Sequence, residues 1–455
     1  MVIADRPEYL KKLAAFCSET TLASLGPAVV DRVKWIIADS IPVIAAGMQM
    51  PEMKAFVANH LKASPPGNAW VFGAGMKAPP IDAALLNGTA GTWLELDEGN
   101  LFAKGHPGIQ VVPAAIAAAQ ELGANGSDLL VAVATGYEVS SRIHRAANVK
   151  LAVHPHGTYG VIGAALAVGK LKGFDTARML ELINVSATMG MTTSRQTLLD
   201  GATVRNIYTG HSGYMGTMAT RLVECGFTGE VDSVAAIYGK ILSDAFDPAR
   251  VVHDLGSEWL VTKSYFKLHP TGRYVHSAID ALEDLLIKVP GGRLDPAEIA
   301  SLDARAYMLA AMLQEKSVQT SFGARFSVPF ALASIIVRGR SGLGSFDDSA
   351  VANPVIQDLA KRVVLQEDES FTARYPAEQP VSIRAVMRDG SSYEGHCVVT
   401  KGEPSRPHTV AELSGKFFDL GEAVWGKPTT QSLFDGLMQL EKIANFQEFA
   451  SKLTL

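Results

Sequence analysis

A mainly α protein, with one large helical domain and a smaller α+β lid, is the fold class this sequence predicts. Three observations point to it. Apolar residues recur at helical spacing through most of the first 265 residues, with almost no strand pattern before residue 260. The clearest β signal comes late, at 381–400: VSIRAVM alternates, Asp389-Gly390 supplies a turn, and SYEGHCVVT returns. The tail, 408–452, is helical again. A chain of 455 residues is too long for one ordinary core, so two domains are expected. Residues 1–268 form the helical domain with 405–455 packing back onto it, and 269–404 form the lid.

The elements follow in order. Helices are expected at 7–24 and 26–47; in the second, Val29, Val30, Val33, Ile36, Ile37 and Ile41 share a face, and Pro42 kinks or ends it. Residues 51–63 suggest another helix, 65–80 a Pro/Gly-rich connection, and 81–94 a buried helix of small residues. Pro113 suits the first turn of a helix over 113–122, and Ser127 with Asp128 opens a long one after Gly123 and Gly126. Further helices fall near 159–171, 175–189 and 210–225, the last closed by Gly226 and Gly229. After Pro270 a helix at 274–288, a strand at 299–309 and a helix at 326–338 precede the hairpin. No repeat or low-complexity tract appears.

Composition narrows the function classes. Charged residues are only 19% and hydrophobic ones 47%, which points to a large core or an oligomer interface. A net charge of −5 without a basic stripe argues against nucleic acid. Cys17, Cys225 and Cys397 form no disulfide or metal pattern, which fits a reducing compartment. The start, MVIADRPEYLKK, is charged from residue 5 and is no signal peptide; no apolar run is long enough to span a membrane. A soluble, cytoplasmic protein is expected.

Two polar stretches stand out. ELDEGNLFAKGHPG, 95–108, sets Glu95, Asp97 and Glu98 within four positions and then reaches His106, between apolar small-residue segments. HPHGTYG, 154–160, likewise leads into an alanine-rich helix. Buried carboxylates need partners or a raised pKa, so such a knot is either a solvated loop or the floor of a site.

GTAGTWLELDEGN…GHPG, GYEVSSRI, HPHGTYGVIGAA, GHSGYMGTMATRLVECGFTG, KLHPTGRYVHSAID and the RFSVPFALA block, in that order, resemble the MmgE/PrpD family. That family includes 2-methylcitrate dehydratase, cis-aconitate decarboxylase and iminodisuccinate epimerase. The resemblance implies a helical domain with an α+β lid, a homodimer, no metal or organic cofactor, and small di- or tricarboxylate substrates. It carries the acidic motif onto Glu95, Asp97 and Glu98, two site histidines onto His106 and His154, and basic residues onto Arg205 and Lys267. This chain departs from decarboxylase-like members at Gly99, where they have Thr, and at Arg205-Asn206-Ile207-Tyr208, where they have Lys-Pro-Leu-His.

The shared chemistry is moving a proton at a carbon next to a carboxylate. The intermediate concentrates negative charge and needs fixed cations and donors; Arg205 and Lys267 can supply the charge. Histidine is the natural base, and Asp97 would orient it. The expected catalytic set is Asp97, His106, His154, Lys267 and Tyr208, the last as an acid; Glu95, Arg205, His156 and Arg273 are assigned to substrate binding. Bland readings stand beside these: His106 as a helix cap, Arg205 as a structural ion-pair partner, Tyr208 as packing, Lys267 as a surface residue, and His156 with His106 as metal ligands. The leading reading is a cofactor-free dehydratase-like lyase, with a dicarboxylate epimerase or a non-catalytic carboxylate binder as alternatives.

Overall fold

The computed structural model describes residues 6–451 and Leu453. The residues before 6, Lys452, and the last two residues lie outside that description, and with them the start of the charged N-terminal stretch.

The chain is mainly α with small sheets. Its helices are α1 (Glu8–Glu19), α2 (Pro27–Gly47), α3 (Pro51–His60), α4 (Pro80–Gly91), α5 (Pro107–Leu122), α6 (Gly126–Ala146), α7 (Gly160–Leu171), α8 (Thr176–Ala187) and α9 (Ile207–Glu224). Then come α10 (Arg273–Lys288), α11 (Val328–Arg338), α12 (Pro354–Lys361), α13 (Val410–Trp425), α14 (Lys427–Met438) and a short α15 (Phe446–Ser451), with single turns between. Among the described residues, no helix is long and apolar enough to cross a membrane.

Helices α4, α5, α6, α7 and α9 pack against one another at close range. Small residues make this possible. A Cβ on Gly88 would stand 2.8 Å from Gly210 Cα, and one on Gly136 would stand 2.3 Å from the Gly163 carbonyl oxygen. A side chain at either crossing would force the helices apart. One apolar core runs from Leu25 through the α2–α6 region and takes in Trp259 and Phe266. It also includes Leu413, Phe417, Leu433, Leu437 and Phe446 of the tail. Phe417 packs edge-on against Phe434 at 5.0 Å, and Lys416 in α13 reaches Asp39 in α2 at 2.6 Å.

A separate apolar core lies wholly within 275–397. It joins α10 and α11 to a four-stranded sheet of β5 (Ile299–Ala306), β6 (Val363–Glu367), β7 (Val381–Met387) and β8 (Ser392–Cys397), in the order β6-β5-β7-β8. β5 pairs with β6 in parallel and with β7 in antiparallel register, Leu302 opposite Ala385. The hairpin turns at Gly390 (φ 88°), as the Asp-Gly pair predicts. β6 went unread because VVLQE alternates too briefly beside α12.

Several expected boundaries shift. The region before 265 is not purely helical. β1 (Ala69–Val71) and β2 (Met76–Ala78) form a hairpin through Gly73 and Gly75, both at positive φ, and β3 (Ala147–Val149) pairs with β4 (Ser243–Phe246). Strands of three or four residues leave no readable alternation; the first hairpin is held by Asn87, which accepts from Phe72 N and donates to the Trp70 carbonyl. Neither internal proline stops its helix. Pro42 lies within α2, and Pro113 lies within α5, which begins at Pro107 rather than 113. Burial of both helices outweighs one missing backbone bond each. The stretch read as one helix at 7–24 divides at Thr20-Thr21, and α6 is capped by Asn125, not Ser127.

Candidate functional site

The site is built on the loop between α4 and α5. Two non-glycine residues there adopt positive φ, Glu95 at 54° and Lys104 at 53°, a conformation that the surroundings must enforce. Asn100 does much of this: its Oδ1 accepts from Phe102 N and Ala103 N, while its amide donates to the Leu260 carbonyl and the Tyr137 hydroxyl. Backbone bonds in both directions join Gly99 to Tyr265. Glu98 clamps the loop to the helix behind it, accepting from the Tyr137 hydroxyl at 2.5 Å and from Gly108 N, in the first turn of α5, at 2.9 Å. Burial, against the help of those two donors, pushes the Glu98 carboxyl up to about 8. Lys416 meets the Leu96 carbonyl from below at 2.6 Å.

On this loop stands a buried charge cluster. Arg205 Nη1 lies 2.5 Å from Glu95 Oε1, and Lys267 Nζ lies 3.3 Å from both Glu95 Oε2 and Asp97 Oδ1. His106 Nδ1 faces two acceptors, the Glu98 carbonyl at 2.8 Å and Asp97 Oδ2 at 2.9 Å. A ring nitrogen between two acceptors must carry the proton, so Nε2 of a neutral His106 holds the lone pair. Burial would raise the Asp97 carboxyl, but His106 and Lys267 outweigh it and hold it below the usual carboxylate range. Glu95 Oε1 and Asp97 Oδ2 have charge partners at short range but no well-directed hydrogen bond.

His106, His156 and His154 form a row of edge-on rings, with centroids 4.9 Å and 4.6 Å apart. They are not equivalent. His154 Nδ1 faces the backbone N–H of His156 at 3.1 Å, and Nε2 faces Arg205 Nε at 3.3 Å. Two donors meet a ring that has at most one lone pair, and burial together with Arg205 drives its pKa well below the usual value. His154 is therefore a poor base. His156 is buried with neither ring nitrogen hydrogen-bonded, and burial and then Arg205 keep it neutral.

These groups border a cavity of about 80 Å³. Of the residues read from sequence, Glu95, His106, His154, His156, Arg205 and Arg273 line it. Asp97 and Lys267, 1% and 0% exposed, are not among the lining residues but contact two that are: Asp97 meets His106 and Lys267 meets Glu95. Tyr208 packs against His154, its hydroxyl 3.2 Å from Thr197 Oγ1, and is not among the lining residues. Arg273 arrives already paired, 2.6 Å from Glu403 and stacked 4.2 Å from the Tyr265 ring centre. Sequence reasoning missed Tyr265, Arg195 and Lys104, all of which line the cavity. Tyr265 explains Gly99: a Cβ there would meet the Tyr265 hydroxyl at 2.3 Å, so the tyrosine fills the space a residue 99 side chain would take. Its place two residues before Lys267 was the available signal.

Asp97, His106 and His156 each offer a ligand atom within 4.8 Å of one another, the spacing a metal ion could use. Lys267 on Asp97 and Arg205 on Glu95 already balance the two carboxylates, however, and would repel a further cation.

Comparison with known proteins places these observations. Residues 11–247 match the MmgE/PrpD N-terminal domain and residues 269–436 the MmgE/PrpD C-terminal domain. The chain is similar to a cis-aconitate decarboxylase of Aspergillus terreus, 25% identical over 446 residues covering 92% of this chain and 90% of that protein. It is 23% identical over 473 residues, 96% of this chain and 95% of the other, to the cis-aconitate decarboxylase-like protein oryM of Aspergillus oryzae. With a Mus musculus cis-aconitate decarboxylase it shares 22% over 390 residues, 81% and 77% of the two chains. The chain belongs to the MmgE/PrpD family.

Proposed function

From that membership, we propose that the chain is a lyase of the dehydratase or decarboxylase kind, acting at a carbon next to a carboxylate. The observation that carries the reading is the His106 pair: Nδ1 is fixed by Asp97 and the Glu98 carbonyl, and Nε2 has no protein partner among the described residues. In a dehydration, His106 Nε2 takes the proton from the carbon next to the carboxylate. The electron pair moves onto the carboxylate as an enediolate, then returns to form the alkene as the β-hydroxyl leaves. The imidazolium gives the same proton to the leaving oxygen, which departs as water. Arg205 stabilises the charge as it develops, and Asp97, itself held by Lys267, stabilises the imidazolium. In a decarboxylation His106 would instead start as the imidazolium, its Nε2 proton drawn from solvent, and would give that proton to the carbanion left by CO₂.

The relatives' activity favours decarboxylation, whereas Gly99 and Tyr208 depart from decarboxylase-like members; dehydration is the reading we prefer. An epimerase needs two bases on opposite faces of one carbon, roughly 6 Å apart if each is about 3 Å away. His154, which meets a donor at each ring nitrogen, lacks the open lone pair that a second base needs. A homodimer is the assembly we propose, on the low charge fraction and small-residue helices. The test of the lyase reading is NMR of β-hydroxy acids with the protein in heavy water. Alkene formation, or deuterium at the carbon next to the carboxylate, is the expected result; neither on any acid would overturn it.

A further inference from the structure

Gly99 and Tyr265 are set against each other. They exchange backbone hydrogen bonds in both directions. Gly99 is not among the glycines at positive φ, so its backbone does not require glycine. Its side-chain space does. A Cβ at 99 would stand 2.3 Å from the Tyr265 hydroxyl and 2.5 Å from the ring carbon that bears it, and its three nearest neighbours would all be Tyr265 atoms. The phenol hydroxyl therefore occupies the place of a residue 99 side chain, on the loop that carries Glu95, Asp97 and His106.

Two contacts fix the ring. It stands edge-on to His106, centroids 6.3 Å apart, and the Arg273 guanidinium lies 4.2 Å from its centre. Tyr265 is 3% exposed and lines the cavity. Among the described residues its hydroxyl makes no hydrogen bond. Other tyrosines of the region are used: Tyr137 meets Glu98, and Tyr208 meets Thr197. A buried hydroxyl without a partner is costly, and native proteins seldom keep one. Burial raises the phenol well above its usual pKa, against the opposing pull of Arg273, so it stays a neutral donor. Such a donor adds no charge to carboxylates already balanced by Arg205 and Lys267. An anionic oxygen in a water-poor site is the acceptor that gains most from it.

We propose that the Tyr265 hydroxyl is a further catalytic group, donating a hydrogen bond to a carboxylate oxygen of the substrate. It keeps its proton throughout and stabilises the negative charge that reaches this oxygen when His106 takes the proton from carbon. The catalytic part rests on the lyase reading; the binding part rests on the unpartnered hydroxyl.

The experiment compares the intact parent with Tyr265→Phe, which keeps the ring between Gly99 and Arg273 and removes only the hydroxyl. Malate, citrate and cis-aconitate are the probes, in heavy water. Dissociation constants come from ligand-observed NMR, and chemistry from alkene formation, loss of CO₂ or deuterium at the carbon next to the carboxylate. Tyr265→Phe should weaken binding of the best probe on the order of tenfold and lower turnover at saturation roughly a hundredfold to a thousandfold, with the thermal midpoint within a few degrees of the parent. Gly99→Ser in a Tyr265→Ala background returns a hydroxyl to the same place. It should recover on the order of tenfold of the binding that Tyr265→Ala loses; no recovery would make the ring, not the hydroxyl, the working part and overturn the proposal. Tyr265→Phe that matches the parent in binding and turnover of every probe would overturn it as well. Equal chemistry from the two proteins would leave the lyase reading standing and this inference refuted. Weaker binding by Tyr265→Phe, with no chemistry from the parent, would do the reverse.

Discussion

Two buried acid–base clusters lie in the same helical region and differ in one respect. In α6, Glu138 and Arg142 are both 0% exposed and 2.6 Å apart. Every remaining donor and acceptor is used: Glu138 Oε2 accepts from Val261 N, and the Arg142 guanidinium bonds to the carbonyls of Val251, His253, Asp254 and Glu258. In the Glu95–Asp97–Lys267–Arg205 cluster the charges are also matched, yet both ring nitrogens of nearby His156, which lines the cavity, have no hydrogen bond. Native proteins seldom leave buried polar atoms unpaired. The closed cluster staples 251–261 to α6. The open one borders a cavity and leaves groups a ligand can use. Burial of charge marks both; incomplete satisfaction marks the site.

Substitutions can break this contrast, beginning with the largest effect. His106→Asn should lower turnover on the order of a hundredfold to ten-thousandfold, the usual share of a general base, while the thermal midpoint stays within a few degrees. A variant with full turnover would place the base elsewhere. Arg142→Met should do the opposite. Leaving Glu138 unpaired in the interior should cost about 3–5 kcal/mol of stability by urea unfolding, with turnover per folded molecule unchanged; equal loss of both would erase the distinction between the clusters. Lys267→Met falls between. It should lower turnover roughly a hundredfold through Asp97 and His106, and also lower stability, since two carboxylates lose their shared cation. A change in stability alone would make Lys267 purely structural.

The smallest effect concerns pH. Burial holds the Glu98 carboxyl protonated in the folded protein up to about 8, while in the unfolded chain it ionises near 4.5. A raised folded value means the folded state binds the proton more tightly. The contribution of Glu98 to stability is thus full below about 4.5 and falls as pH rises through the window to about 8. Glu98→Gln removes that fall, so its stability relative to the parent should climb across the same window. Parallel curves would show that Glu98 is ionised in the folded state.

Much of this was legible in sequence, for physical reasons that also set the limits. Amphipathic spacing marked the long helices, and Asp389-Gly390 marked the hairpin, because each is a local signal. His106, Arg205 and Glu95 were legible as chemistry-bearing residues stranded among small apolar ones. What stayed hidden depends on distant chain. Nothing near Tyr208 says that its hydroxyl turns to Thr197, and nothing near Lys267 says that it meets Glu95 instead of lining the cavity. Leu198, Leu309 and Met312 stayed hidden for the same cause: they read as ordinary core, and only the fold sets them in the lining of the same cavity as His106.

The central claim is that His106 Nε2 moves a proton at a carbon next to a carboxylate. The most direct measurement is the rate of deuterium incorporation at that carbon, by proton NMR in heavy water, for the parent protein and His106→Asn with a panel of β-hydroxy acids. The account expects incorporation, or its alkene product, with the parent and a loss of at least a hundredfold in the variant. Equal rates from the two proteins would contradict it.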